Sequence, residues 1–201
     1  MVFGLFCSCR NAEKKYIVKY TSVDNHMEYY VLDSKNDTVL ILDTAKYFVC
    51  FDVEFEHFLI VAPKGRDGWW AIDINENFLF QVYNTSYGEP SPDELTYGMI
   101  RIVDANGKIG YADENGKIVI KPQYEFASSF YKDYAIIGED CHKIPWKSIN
   151  TNIKDTCEVI CEHFDIECSR YGYIDKKGKV KEFGNLSYKE LVDKLNIPNE
   201  F

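Results

Sequence analysis

The sequence holds no run of about 18 apolar residues, so no helix is expected to cross a membrane. It has no G-x-S-x-G elbow, no G-x-x-x-x-G-K phosphate loop and no H-E-x-x-H pair, which leaves no hydrolase, nucleotide-binding or zinc-protease signature. Its histidines, His26, His57, His142 and His163, are scattered and form no constellation. No catalytic residue and no cofactor is expected. Basic side chains are in deficit. With 23 Lys and Arg against 32 Asp and Glu the net charge is −9. A nucleic-acid binder needs a basic face to displace counterions, so nucleic acid is not an expected partner. Alanine is scarce, which argues against a helical protein.

What is abundant is aromatic: 15 Tyr and 13 Phe. Aromatic and β-branched side chains suit pleated, half-buried surfaces, and the composition leans towards strands. Anchoring on aspartate shows a period. Asp33, Asp73 and Asp113 are 40 residues apart, each following an aromatic-rich stretch and preceding an apolar run. Asp175 follows after 62, which is 40 plus an insertion of about 22. A second register lies fourteen residues earlier, in Tyr16–Tyr20, Phe58–Ala62 and Gly98–Val103, with Tyr134–Ile137 leading the last copy. Each unit reads strand, turn, strand, turn, strand. Asn106-Gly107, Asn115-Gly116 and Lys177-Gly178 supply the hairpin signal, since Asn and Gly both accept positive φ. The expected fold is all-β: an open array of about four three-stranded antiparallel meanders over residues 16–186. A tail precedes it (1–15), and a helix with a Ser187–Glu190 capping box closes it (187–201). Alternation places Ile109, Tyr111 and Asp113 on one face. Small Gly110 and Ala112 lie on the other, leaving room for a neighbouring backbone or ring.

The run Gly107-Lys-Ile-Gly110-Tyr-Ala-Asp113, then Gly116-Lys117, Ile118–Ile120, Pro122 and Tyr124, resembles the WG-repeat (KWG) family. The name-giving tryptophan is replaced by Ile109 here and by Tyr171 in the last copy. In the second copy Trp69 is in place, with Trp70 where glycine is expected. The resemblance extends over roughly residues 16–183. It implies an all-β repeat array and supplies no catalytic residues.

Other segments depart from the repeat. Residues 141–168 read as a short helical insertion, with Ile153, Cys157, Ile160, Cys161 and Phe164 on one face. Its Cys141, Cys157, Cys161, His163 and Cys168 are also candidate zinc ligands, although no C-x2-C knuckle is present. A disulfide between two of these cysteines is a third option if the protein is exported. Seven cysteines cannot all pair, which fits reduced thiols slightly better. Phe51–His57 alternates strictly and reads as a strand with a solvated acidic face. Tyr87–Glu94 reads as a surface loop. The N-terminal Cys7-Ser8-Cys9, after a short apolar stretch, resembles the end of a bacterial lipoprotein signal, with Cys9 as the acylated residue. No basic residue precedes it, and Val2–Phe6 is shorter than a signal core of about 7–15 residues. Envelope and cytoplasm both stay open.

The expected function is therefore a non-catalytic scaffold that binds a protein partner. One alternative is an envelope-anchored module that binds glycan or peptidoglycan by stacking sugars on Trp69 or Trp70. Another is a zinc-supported module built on the insertion.

Overall fold

The computed structural model describes residues 15–23, 26–49, 53–85, 91–145 and 164–198. Cys9 and the rest of the N-terminal tail lie outside them. The chain divides into two compact units, Met1–Glu56 and His57–Phe201.

The first unit is a meander of β1 (Tyr16–Val23), β2 (His26–Leu32) and β3 (Thr38–Leu42), followed by β4 (Tyr47–Val49) and β5 (Glu54–Phe55). The sheet order is β3-β2-β1-β5, antiparallel throughout. Val18, Val31 and Leu42 are buried, as period-two burial requires. Of the acidic run, Phe55 is buried and Glu54 is exposed, paired with Lys15. Phe51 and Asp52 lie outside the described residues.

The second unit holds three further meanders. The first is β6 (Leu59–Pro63), β7 (Trp69–Ile72) and β8 (Phe78–Val82), followed by a short hairpin of β9 (Asn84–Thr85) with β10 (Ser91–Pro92). The next is β11 (Met99–Val103), β12 (Ile109–Asp113) and β13 (Ile118–Tyr124). These two join edge to edge through Ile102↔Val82 and Val103↔Gln81. The result is a continuous run, β13-β12-β11-β8-β7-β6. The last repeat forms its own sheet: β14 (Phe126–Ala127), β15 (Tyr134–Pro145), β16 (Phe164–Asp175) and β17 (Val180–Leu186). Met99, Ile109, Tyr111 and Ile120 of the first sheet pack on Ala127, Phe130, Ala135, Ile137 and Ile174 of the last repeat. Ala112 faces the other way, into a cluster with Phe58, Ala71, Phe80 and Val82. The all-β array of three-stranded meanders is the observed architecture.

The helix α1 (Tyr188–Leu195) carries the capping box foreseen at Ser187 and Glu190. It buries Leu191 and packs on β15, β16 and β17, so it covers a sheet face as well as ending the array.

Two expectations are corrected. Residues 141–168 do not begin and end as a helical insertion. Cys141–Pro145 and Phe164–Cys168 pair as strands in one long hairpin. Phe164 is thus in a strand, while Ile153, Cys157, Ile160 and Cys161 lie outside the described residues. The ladder that starts at Tyr134↔Asp175 resumes after a break at Asp140 and claims both ends of the segment. Nor is the whole of Tyr87–Glu94 a surface loop: Asp93 is 3 % exposed.

The hairpin turns also differ from the expected type. Asparagine does not take positive φ at 106 or 115; only the glycine after it does, with Gly107 at 75° and Gly116 at 78°. In five of the turns the leading aspartate accepts two backbone N–H groups with Oδ1, from the second and fourth residues on. Asp113 takes Asn115 (3.0 Å) and Lys117 (2.9 Å). Asp33, Asp73, Asp104 and Asp175 do the same. This is a type I turn closed by a left-handed residue, the three-residue hairpin loop. The recurring aspartate is a backbone cap, as its position at the turn entry implied.

At the left-handed position Gly116 and Gly178 are matched by Glu76, with φ 61°. A side chain there is strained and glycine is not, though glycine loses more entropy on folding. Glu76→Gly is therefore expected to stabilise the second unit by about 0.5–1 kcal/mol, read as a rise in the urea midpoint at unchanged slope.

Candidate functional site

The turns at one end of the second unit bring four tyrosines into a row. The tip Thr96–Met99 is a two-residue hairpin, with Tyr97 (φ 50°) and Gly98 (φ 77°) both left-handed. The tip Tyr131–Tyr134 repeats that bridge. The rings of Tyr97 and Tyr131 meet edge to face at 5.4 Å, and so do those of Tyr134 and Tyr173. Tyr131 and Tyr134 oppose each other across their bridge, which joins the two pairs.

Lysines border the row. Lys132 Nζ lies 5.1 Å from the Tyr131 ring centre and Lys194 Nζ lies 5.6 Å from that of Tyr173. Lys176 Nζ donates to the Tyr97 carbonyl at 2.7 Å. Lys181 pairs with Asp175 at 2.7 Å. That hydrogen bond comes first among the causes that hold the Asp175 carboxyl down at about 2, with the turn's backbone N–H groups adding to it. From Arg170 to Lys194 seven basic side chains face four acidic ones, in a chain whose net charge is −9. Tyr97 and Tyr134 are 45 % and 36 % exposed. This end of the unit is thus aromatic and bordered by lysines, of which Lys181 and Lys194 are paired with Asp175 and Glu182.

The same unit holds a buried ion pair. Arg101 on β11 donates through Nη2 to Asp93 Oδ1, and its backbone N–H reaches Asp93 Oδ2 at 2.9 Å. Its Nη1 donates to the Ala127 carbonyl at 3.2 Å, so one guanidinium ties the 83–93 segment to the next repeat. The Tyr83 ring lies 4.5 Å beneath it. Burial opposes the Arg101 charge, yet Asp93's hydrogen bond and charge outweigh it, and the Arg101 pKa is raised. Next to it, Tyr111 is wholly buried against Phe130, and its hydroxyl donates to the Ser128 carbonyl at 2.6 Å. Burial pushes that phenol far above its ordinary range.

The tryptophan candidates lie elsewhere in the second unit. Trp69 packs against the Phe58–Phe80 cluster. Trp70 donates Nε1–H to the Asp67 carbonyl at 3.0 Å and meets Phe78 edge to face. The Arg66 guanidinium lies 4.3 Å from the Trp70 ring centre and 4.4 Å from that of Phe78.

Of the zinc candidates, Cys141 and Cys168 are corrected: they face each other across β15 and β16 and form a disulfide, so neither is a thiolate ligand. Cys157, Cys161 and His163 lie outside the described residues. Among the described residues no group of three or more His, Cys, Asp or Glu is placed to hold a metal. A depression of about 300 Å³ lies beside the disulfide, lined by Lys108, Glu125, His142, Lys143 and Ile166 among others. Lys108 pairs with Glu125 at 2.9 Å, and Glu125 Oε2 accepts the Cys141 N–H at 2.9 Å.

Sequence reasoning missed Asp93 and Arg101, and no local signal marked them. It also missed Asp104, which the spacing Asp-x-x-Gly could have revealed. The lysine-bordered tyrosine row needs the fold, because its members come from two separate turns and the strand β16.

The fold and its turns define an all-β repeat protein of three-stranded meanders. Residues 109–140 match the family model described as WG containing repeat. The matched span opens on Ile109 at the start of β12 and runs through Gly110 and Pro122 into β15. No curated protein and no solved structure matches the chain. No described helix is long and apolar enough to cross a membrane.

Proposed function

We propose that the chain is a non-catalytic binding module that holds a protein partner on the row Tyr97, Tyr131, Tyr134 and Tyr173. The observation that carries this reading is the exposed, lysine-bordered aromatic surface on an otherwise acidic molecule. Tyrosine supplies large contact area with little side-chain entropy to lose, and is enriched at protein interfaces. Bordering lysines favour a partner segment with acidic side chains. The match to the WG-containing-repeat model supports a repeat module.

Paired affinity captures from native extract test this, with the chain and its Tyr97→Ala/Tyr134→Ala variant compared quantitatively. Both substitutions are on exposed tips, so folding is expected to survive, which circular dichroism checks. The expected result is a protein, eluted by about 0.5 M salt, whose recovery falls at least ~10-fold with the variant. Identical capture profiles would overturn the tyrosine row as the binding surface.

A further inference from the structure

The hairpin of β15 and β16 is longer than the sheet it belongs to. The β14 strand pairs with it only at Ile137 and Gly138, and β17 only from Tyr171 to Ile174. Beyond those positions the two strands pair with each other alone among the described residues, from Glu139↔Arg170 to Pro145↔Phe164. A two-stranded ribbon without flanking strands is marginal in water. Its backbone is also broken near its root, where Asp140 takes φ 53° in mid-strand.

The Cys141–Cys168 disulfide sits at that root, with Cα atoms 3.9 Å apart. The surroundings are shaped to hold it. A Cβ on Gly138 would stand 2.5 Å from Cys168 Sγ and 3.3 Å from Cys141 Sγ, so only glycine leaves the space. Tyr171 Oη accepts the Cys168 N–H at 2.7 Å. The two sulfurs differ in access. Cys168 is 6 % exposed, whereas Cys141 is half-buried and lines the depression shared with Lys108, His142 and Lys143. The open side of the bond is therefore the Cys141 side, where the lining carries Lys108 and Lys143 together with Glu125.

We propose that Cys141–Cys168 is a thiol–disulfide exchange site for a dithiol reductant, and that its reduction releases the ribbon. A thiolate of the reductant attacks Cys141 Sγ and the protein S–S bond breaks. Cys168 leaves as a thiolate and takes a proton, while Cys141 is held in a mixed disulfide. The second thiol of the reductant then attacks its own sulfur in that mixed disulfide. Cys141 departs as a thiolate, is protonated, and the reductant leaves oxidised as a cyclic disulfide. Two electrons pass from reductant to protein. His142, Lys143 and Ile166 all lie on the ribbon, so its release dismantles one wall of the depression.

The test treats the full chain with dithiothreitol under native conditions. Differential alkylation and peptide mapping follow Cys141 and Cys168, and hydrogen exchange follows the amides. Expected is complete reduction of this bond while the chain stays folded, with exchange at Lys143 and Ile166 at least ~10-fold faster and exchange at Tyr111 and Ile137 unchanged. The Cys141→Ser/Cys168→Ser variant should reproduce the reduced pattern without reductant. A bond that resists reduction until the repeats unfold would overturn the proposal. So would reduction that leaves ribbon exchange unaltered. If the serine variant fails to fold, the dithiothreitol titration of the natural chain decides alone.

Discussion

Gly110→Ala is expected to destabilise the second unit by about 3 kcal/mol or more. In a unit of this size that lowers its melting temperature by about 6–12 °C. The cause is not backbone freedom, since Gly110 has no positive φ. It is contact. A Cβ there would stand 2.4 Å from the Ile120 carbonyl oxygen and 2.5 Å from the Pro122 nitrogen. Both are backbone atoms, so no rotamer change makes room. The β13 strand bulges where it passes over β12, between Ile109 and Tyr111, and the bulge brings the chains together. Gly172 repeats the arrangement, with a virtual Cβ 2.4 Å from the Glu182 carbonyl and a shifted register between Tyr171 and Gly172. Trp70 stands at the matching position of the preceding copy, and there the ladder is regular: Trp69↔Val82, Trp70↔Gln81, Ala71↔Phe80. It lacks the first irregularity and keeps only the second, between Ala71 and Ile72, which the β12–β13 pair also carries between Tyr111 and Ala112. The glycine therefore follows the bulge and not the repeat as such. Calorimetry on Gly110→Ala checks this, and a change below about 1 kcal/mol would contradict the contact argument.

The second large effect is expected at Asp93. Asp93→Asn should cost about 3 kcal/mol, because it leaves the Arg101 guanidinium, whose side chain is 14 % exposed, without its counter-charge. Arg101 Nε already lacks a partner, so the group has little else to fall back on. Arg101→Met should be similarly costly, since it strips a carboxylate that is 4 % exposed of its guanidinium and frees the Ala127 carbonyl. The double variant Asp93→Asn/Arg101→Met should cost clearly less than the two singles together, because the charge left stranded in each single is absent. Urea unfolding of the three variants closes the cycle. Additive losses would show that the pair is not coupled.

Much of the architecture was legible because it is local. A period of 40 in aspartate, apolar runs that alternate in twos and glycine at turn positions all act within a few residues. They gave the three-stranded units, the faces of Ile109 to Asp113 and the capping helix. The turn type was misread because Asn-Gly serves two hairpin geometries. The Asp cap, not the asparagine, selects between them. The two ends of the insertion were misread because the helical spacing runs on to Phe164, while the ladder that claims Phe164 depends on residues some 20 positions away. Cys141 and Cys168 likewise meet only through that register. Asp93, Arg101 and Ala127 belong to three different segments, and so do the tyrosines of the row. No spacing rule within one segment joins them.

The aspartate-capped turns have a consequence for how such a chain changes length. Each draws its hydrogen bonds from its own five residues: Asp113 caps Asn115 and Lys117, and Gly116 N–H returns to the Asp113 carbonyl at 2.9 Å. Nothing in the closure is borrowed from a neighbouring copy. Such a loop is a portable part. It can be duplicated with its flanking strands, or set further out as the strands lengthen, and it arrives already closed. The step from Asp113 to Asp175 is an instance. The hairpin ahead of Asp175 has grown well beyond the span of its predecessors, yet the turn that follows it folds to the same pattern as the others. Growth of the array and integrity of its corners are, in this design, separate matters.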